Sequence, residues 1–104
     1  MDELRGFQRR YLRGLANPIK PNVFIGKNGI TDEVLEATND DLDNHELIKV
    51  RFQDFKEQRK ELSAELAEKT NAHLAGVIGH VAILYRQHPD PEKRQITLPQ
   101  KSES

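Results

Sequence analysis

A short apolar run that enters a glycine-bounded turn constrains the fold of this chain more than any other stretch. Residues 23–25 are all apolar and predict a strand, and residues 26–29, Gly-Lys-Asn-Gly, predict a tight turn. Thr31 then has the position and the side chain of a helix N-cap. The stretch therefore predicts a strand, a turn and a helix in succession. Because every residue of the strand is apolar, we expect both of its faces to be covered.

The turn has the chemistry to hold a phosphate. Gly26 and Gly29 lack a Cβ, so backbone N–H groups can approach an anion, while Lys27 supplies charge and Asn28 tolerates left-handed backbone. The acidic residues that open the following helix would repel an anion on the helix axis, so a phosphate should bind on the Lys27 side. Taken alone, such a turn can equally be a structural connection without a ligand.

Basic residues are concentrated around this turn. Residues 1–29 hold six Lys or Arg against two acids, whereas residues 30–46 hold seven acids and no Lys or Arg. The net charge of −1 therefore hides a surface divided by sign. Apolar spacing predicts a first helix over about residues 3–15, with Arg5, Arg9 and Arg13 in one row about 12 Å long, and Lys20 precedes the strand. The row is either a phosphate-binding face or a solvated helix face.

Composition limits the class of protein. A chain of 104 residues fits one domain, which we assign to residues 1–98, with a flexible tail at 99–104. There is no cysteine and no apolar run of the roughly 20 residues that span a bilayer. We expect a soluble, cytoplasmic monomer that does not contact membranes.

The remaining pattern predicts an α/β fold. It indicates a helix over residues 31–44, a strand over 45–52, a helix over 54–70 and two strands joined at Gly79-His80. The resulting prediction is a two-layer, mixed four-stranded sheet with three helices in the order α-β-α-β-α-β-β, with the spatial strand order left open. Phe24 and Phe52 fall in apolar patterns that predict burial in the core, so few aromatic side chains are expected to be exposed for stacking on the bases of a nucleic acid.

Several separated motifs resemble the CRM domain, named for chloroplast RNA splicing and ribosome maturation, in its stand-alone bacterial, YhbY-like form. The resemblance extends over about residues 4–98. It rests on LRGLANPIKP at 12–21, IGKNGIT at 25–31, HELIKV at 45–50, VIGH at 77–80 and LYR at 84–86.

The resemblance implies a fold like that of the C-terminal domain of bacterial translation initiation factor three, and an RNA-contacting loop analogous to that of KH domains. It also implies association with precursors of the large ribosomal subunit. We therefore expect the chain to grip structured RNA, ribosomal RNA of the large-subunit precursor, through its backbone and shape. The expected contacts are Gly26, Lys27, Asn28, Gly29, Arg5, Arg9, Arg13 and Lys20.

Two other classes of function stay open. An enzyme needs an acid–base pair, but His45 and Glu46 are adjacent on a predicted strand and would point to opposite faces. The spacing of His73, His80 and His88 fits no compact zinc pattern, so we expect no enzyme, catalytic residue, cofactor or metal site. The second alternative is a protein-interaction module whose acidic second helix docks a basic ribosomal or assembly protein.

Overall fold

The computed structural model describes residues 3–100. Its elements confirm the predicted order of helix, strand, helix, strand, helix, strand and strand. They are α1 (Gly6–Ala16), β1 (Val23–Ile25), α2 (Asp32–His45), β2 (Leu47–Phe52), α3 (Arg59–Lys69), β3 (His73–Ile78) and β4 (Val81–Tyr85). The third helix starts later than predicted because Phe55 has a left-handed backbone, with φ of 55°, and a single 3₁₀ turn, Lys56–Gln58, follows it. A second 3₁₀ turn, Pro91–Lys93, follows β4.

The four strands form one mixed sheet in the order β1-β2-β4-β3. β1 pairs with β2 in parallel, and β4 pairs in antiparallel fashion with both β2 and β3. The strands of the two strand-helix-strand units, β1, β2 and β3, therefore run in the same direction, as predicted. β4 runs in the opposite direction and lies between β2 and β3. Within residues 3–100 the longest helix, α2, has 14 residues, and none of the helices is long and apolar enough to cross a membrane.

Apolar side chains cover the sheet on both sides. One cluster lies between the sheet and helices α2 and α3, and it includes Phe52, Leu42 and Leu66. The other lies under α1 and includes Leu12 and Tyr85. The predicted count of two layers is therefore corrected to three, because alternate residues of β2 and β4 present apolar side chains to α1 on the opposite face.

Glu46, between α2 and β2, fixes the segment that follows β4. Glu46 is 1% exposed and has a positive φ of 62°. One carboxylate oxygen accepts a hydrogen bond from the His88 N–H at 2.7 Å. The other accepts hydrogen bonds from the N–H groups of Gln95 and Ile96 at 2.6 and 3.0 Å. These contacts place Ile96 and Leu98 against the cluster under α1.

The end of the predicted domain is therefore part of the packed structure. Beyond residue 98, the carbonyl of Pro99 accepts a hydrogen bond from the side-chain amide of Gln8 at 3.3 Å. The rest of the predicted tail, residues 101–104, lies outside the described residues, as do residues 1 and 2.

Arg86, directly after β4, joins three elements. Its guanidinium donates hydrogen bonds to the side-chain oxygen of Asn39 in α2 at 2.7 Å and to the Thr70 carbonyl after α3 at 2.6 Å. It also forms an ion pair with Asp43 of α2 at 2.8 Å. The side chain thereby links both helices of one layer to the sheet.

We predict that Arg86→Met destabilises the protein by about 2 kcal/mol, because the Thr70 and Asn39 oxygens lose a charged donor that water replaces only in part. The free energy of unfolding, measured in urea, reports the effect. Arg10→Met is the matched control, since Arg10 is exposed on α1. Equal unfolding midpoints for the two variants would contradict the structural role of Arg86.

Candidate nucleic-acid interface

The Gly-Lys-Asn-Gly turn forms an exposed loop between β1 and α2, which we call the GKNG loop (residues 26–29). The Gly29 N–H donates to the Gly26 carbonyl at 3.0 Å and closes the turn. Gly29 has a φ of 70°, a backbone conformation that a residue with a Cβ adopts only with strain. Lys27 and Asn28 at the tip are both exposed. Within residues 3–100, no backbone hydrogen bond of the loops and turns uses their N–H groups.

The end of the loop is set by the helix that follows. The Thr31 hydroxyl oxygen accepts a hydrogen bond from the Val34 N–H at 3.1 Å, which confirms the predicted N-cap. Asp32 and Glu33 are exposed in the first turn of α2. The negative charges of Asp32 and Glu33 therefore lie on the side of the loop where α2 begins. The positive charge of Lys27 lies at the tip of the loop.

Two other connections lie at the same end of the sheet as the GKNG loop. The backbone N–H groups of Gln53 and Asp54, after β2, donate to the Ile25 carbonyl at 2.8 and 3.3 Å. The Phe52 N–H donates to the carbonyl of His80, in the β3–β4 hairpin, at 2.8 Å. We call this edge, at which β1, β2 and β3 end and β4 begins, the loop end of the sheet.

The Phe55 side chain lies next to the GKNG loop. A Cβ built on Gly29 would lie 3.7 Å from Cε2 of the Phe55 ring, so the ring lies beside the loop at Gly29. The left-handed backbone of Phe55 is held by its N–H, which donates to the Asp54 carboxylate at 2.8 Å. The sequence analysis missed this contact, because the strand ending at Phe52 and the loop are remote in sequence.

The structure separates the basic residues predicted to contact RNA. Arg5 and Lys20 are exposed, but Lys20 precedes β1 and so lies at the opposite end of that strand from the GKNG loop. Arg9 is half-buried and donates a hydrogen bond to the Leu4 carbonyl. Arg13 is half-buried and donates to the Ala75 carbonyl at 3.0 Å. The predicted row of arginines is therefore not a free row, and two of its three members use donors within the protein.

Arg13 crosses β3 where the chain has a glycine. A Cβ on Gly76 would lie 2.7 Å from Cδ of Arg13, so only glycine allows the arginine stem to lie on the strand. This contact places the Arg13 guanidinium at the boundary between α1 and the loop end of the sheet.

The expectation that β1 is covered on both faces is wrong for Phe24. Its side chain is 44% exposed, and it lies on the face that α1 covers elsewhere. β1 is an edge strand, and α1 packs mainly on β2, β3 and β4, so none of the helices within residues 3–100 covers this position. An exposed aromatic ring therefore lies next to the GKNG loop, whereas Phe52, for which the sequence also predicted a core position, is 1% exposed.

The histidines do not assemble a site in the described chain. His45 lies 3.7 Å from Asp41, while the Glu46 carboxylate points toward the segment after β4, so the two do not form a pair. His73 stacks on Tyr85 with ring centroids 6.4 Å apart, and burial lowers the pKa of His73. Within residues 3–100, no group of three or more His, Cys, Asp or Glu is placed to hold a metal ion.

Comparison with known proteins places this arrangement in a family. The model of the CRS1/YhbY (CRM) domain matches residues 4–86. A Haemophilus influenzae protein named "RNA-binding protein" is 36% identical over 97% of this chain and all of its own length. The Bacillus subtilis "Probable RNA-binding protein YqeI" is 32% identical over 92% of this chain and 99% of its own length.

A solved structure has the same fold. The solution structure of a hypothetical Staphylococcus aureus protein, for which RNA binding has been suggested, is 40% identical to this chain with a TM-score of 0.78. The match covers 92% of this chain and 99% of the other. The chain belongs to the CRS1/YhbY (CRM) domain family.

Proposed function

We propose that this chain binds structured RNA through the GKNG loop, and that the RNA belongs to the precursor of the large ribosomal subunit. The observation that supports the loop most directly is the exposed tip, where Lys27 stands beside two backbone N–H groups. Backbone donors and one lysine form a site for a phosphate, and they carry no preference for a base.

The charge distribution supports the same surface. The acidic helix α2 packs on the sheet face opposite to α1, so its exposed carboxylates point away from the side that carries Arg13 and Lys49. A polyanion approaching the loop end from the α1 side meets positive charge first. We infer that the backbone of the RNA lies across the GKNG loop on that side.

The choice of ribosomal RNA rests on the family resemblance, and it needs its own test. The protein is titrated with a structured fragment of large-subunit ribosomal RNA and with a small-subunit fragment of the same length. We expect tighter binding to the large-subunit fragment, and cosedimentation of the tagged protein with large-subunit precursors from a bacterial extract. Equal affinity for both fragments, without cosedimentation, would refute the ribosomal assignment while leaving RNA binding in place.

A second candidate is docking of a basic ribosomal protein on α2. The exposed carboxylates of Glu36 and Asp40 favour it. Asp43 already pairs with Arg86, and Asp41 lies close to His45 and Asn22, so reversing either charge would also disturb the fold. The double variant Glu36→Lys/Asp40→Lys is therefore the sharper test. Loss of cosedimentation with RNA affinity unchanged would identify α2 as the docking surface.

A further inference from the structure

A row of side chains crosses the whole sheet at its loop end on the α1 face. Phe24 of β1 pairs with Arg51 of β2, Arg51 pairs with Val81 of β4, and Val81 pairs with Ile78 of β3. Paired residues point to the same face, so the four side chains stand side by side. With strands about 4.8 Å apart, the row is about 14 Å long. We call it the open row.

No helix covers the open row in the described chain. Phe24 is 44% exposed and Ile78 is 59% exposed, which makes Ile78 the most exposed of the large apolar side chains described. Val81 is half-buried and Arg51 is exposed. Helix α1 covers the neighbouring part of this sheet face, as far as the Arg13 side chain.

Positive charge borders these apolar groups. A shallow depression of about 170 Å³ lies behind the open row, lined by Arg13, Asn17, Lys49, Ile78, Val81 and Ile83. The Lys49 ammonium donates to the Asn17 carbonyl at 3.2 Å, and Arg13 donates to the Ala75 carbonyl, so both cations are held in place. The lining contains no carboxylate.

We propose that the open row is a platform on which unpaired bases of the bound RNA stack, with Phe24 as the stacking ring and Arg51 beside it. The proposal deepens the proposed function and rests on it. Bases present flat apolar faces attached to a charged backbone, and the open row offers a ring and aliphatic groups with Arg51 among them and Arg13 and Lys49 behind them. A sheet that stacks two or three bases on exposed aromatic residues is an established mode of reading single-stranded RNA.

The position of the row favours RNA over a protein partner. Phe24 is two residues from Gly26, so a strand of RNA whose phosphate lies on the GKNG loop continues directly onto the row. Both charged residues that line the depression behind the row, Arg13 and Lys49, are positive, which fits a polyanion better than a basic protein. The loop would then hold the backbone while the row holds the bases.

The test uses two fluorescein-labelled RNA probes, a single strand of about ten nucleotides and a duplex of about ten base pairs. The variants are Phe24→Ala, Phe24→Tyr and Lys27→Glu, with Tyr11→Ala as the matched control because Tyr11 is 41% exposed on α1. Dissociation constants are measured at several salt concentrations. Circular dichroism melting verifies that each variant folds.

We expect Phe24→Ala to weaken binding of the single strand about tenfold at every salt concentration, because stacking releases no counterions. Phe24→Tyr keeps a ring and should bind like the parent, as should Tyr11→Ala. Neither Phe24 variant should change duplex binding. Lys27→Glu should weaken binding of both probes and reduce the salt dependence.

Other outcomes separate the two proposals. Parent-like binding by Phe24→Ala, with Lys27→Glu impaired, overturns the platform and leaves the proposed function in place. Equal losses on both probes also overturn the platform, since a duplex has no unpaired bases. If the parent binds neither RNA, both proposals fail.

A second experiment is used if Phe24→Ala does not fold. A single-stranded RNA that contains 5-iodouracil is photocrosslinked to the parent protein. A crosslink at Phe24 supports the platform, and crosslinks only at other residues refute it.

Discussion

Replacing Glu46 with alanine is expected to destabilise the protein by about 3 kcal/mol, the largest effect on stability that we predict for a single change. The carboxylate accepts three backbone hydrogen bonds from residues 88, 95 and 96. Without it, three partly buried N–H groups lose their acceptor, and the segment carrying Ile96 and Leu98 loses its attachment to the sheet. Apolar area under α1 would then become exposed as well.

The free energy of unfolding in urea tests this prediction, with Glu46→Gln as the matched control. Glutamine keeps the size of the side chain and one acceptor oxygen, so it should fall between the parent and the alanine variant. Hydrogen exchange gives the local signature: the amides of His88, Gln95 and Ile96 should lose protection before those of the strands. Unchanged protection at these three amides would contradict the anchoring role of Glu46.

Reversing the charge at the tip of the GKNG loop is expected to have the largest effect on RNA affinity. Lys27→Glu removes one phosphate contact and places a carboxylate beside the RNA backbone, so the dissociation constant should rise at least about tenfold near physiological salt. The fold should be unaffected, because Lys27 is exposed in the turn and Gly29 closes that turn through backbone atoms.

The control for this variant must change the net charge equally at a different place. Lys93 is exposed in the 3₁₀ turn after β4, at the end of the sheet opposite to the GKNG loop. Lys93→Glu should therefore leave the affinity close to that of the parent. If both variants weaken binding by the same factor, the effect comes from net charge and not from the loop.

The order and type of the helices and strands could be predicted from local sequence patterns. The alternation in β2, the hairpin at Gly79 and the N-cap at Thr31 each depend on neighbours in sequence, and the structure has all three. The predicted element order follows from them, and it is confirmed. The GKNG loop was likewise visible in the sequence, because its chemistry lies in four consecutive residues.

The errors arose where a residue's surroundings come from remote parts of the chain. An apolar strand residue such as Phe24 is buried or exposed according to strand order and helix placement, and neither is a local property. Arg13 looked like a free cation, but its partner Ala75 is 62 positions away. Glu46 was counted in the acidic stretch 30–46 and placed on the predicted second strand, yet its carboxylate accepts hydrogen bonds from backbone groups up to 50 residues further on.

The salt dependence of binding to a structured large-subunit ribosomal RNA fragment tests the central claim most directly. The logarithm of the affinity is measured against the logarithm of salt concentration for the parent, Lys27→Glu and Lys93→Glu. We predict that the slope for Lys27→Glu is smaller than that of the parent by roughly 0.7–0.9, the value of one lost phosphate contact, and that Lys93→Glu matches the parent. Identical slopes and affinities for all three folded proteins would show that the GKNG loop does not contact RNA.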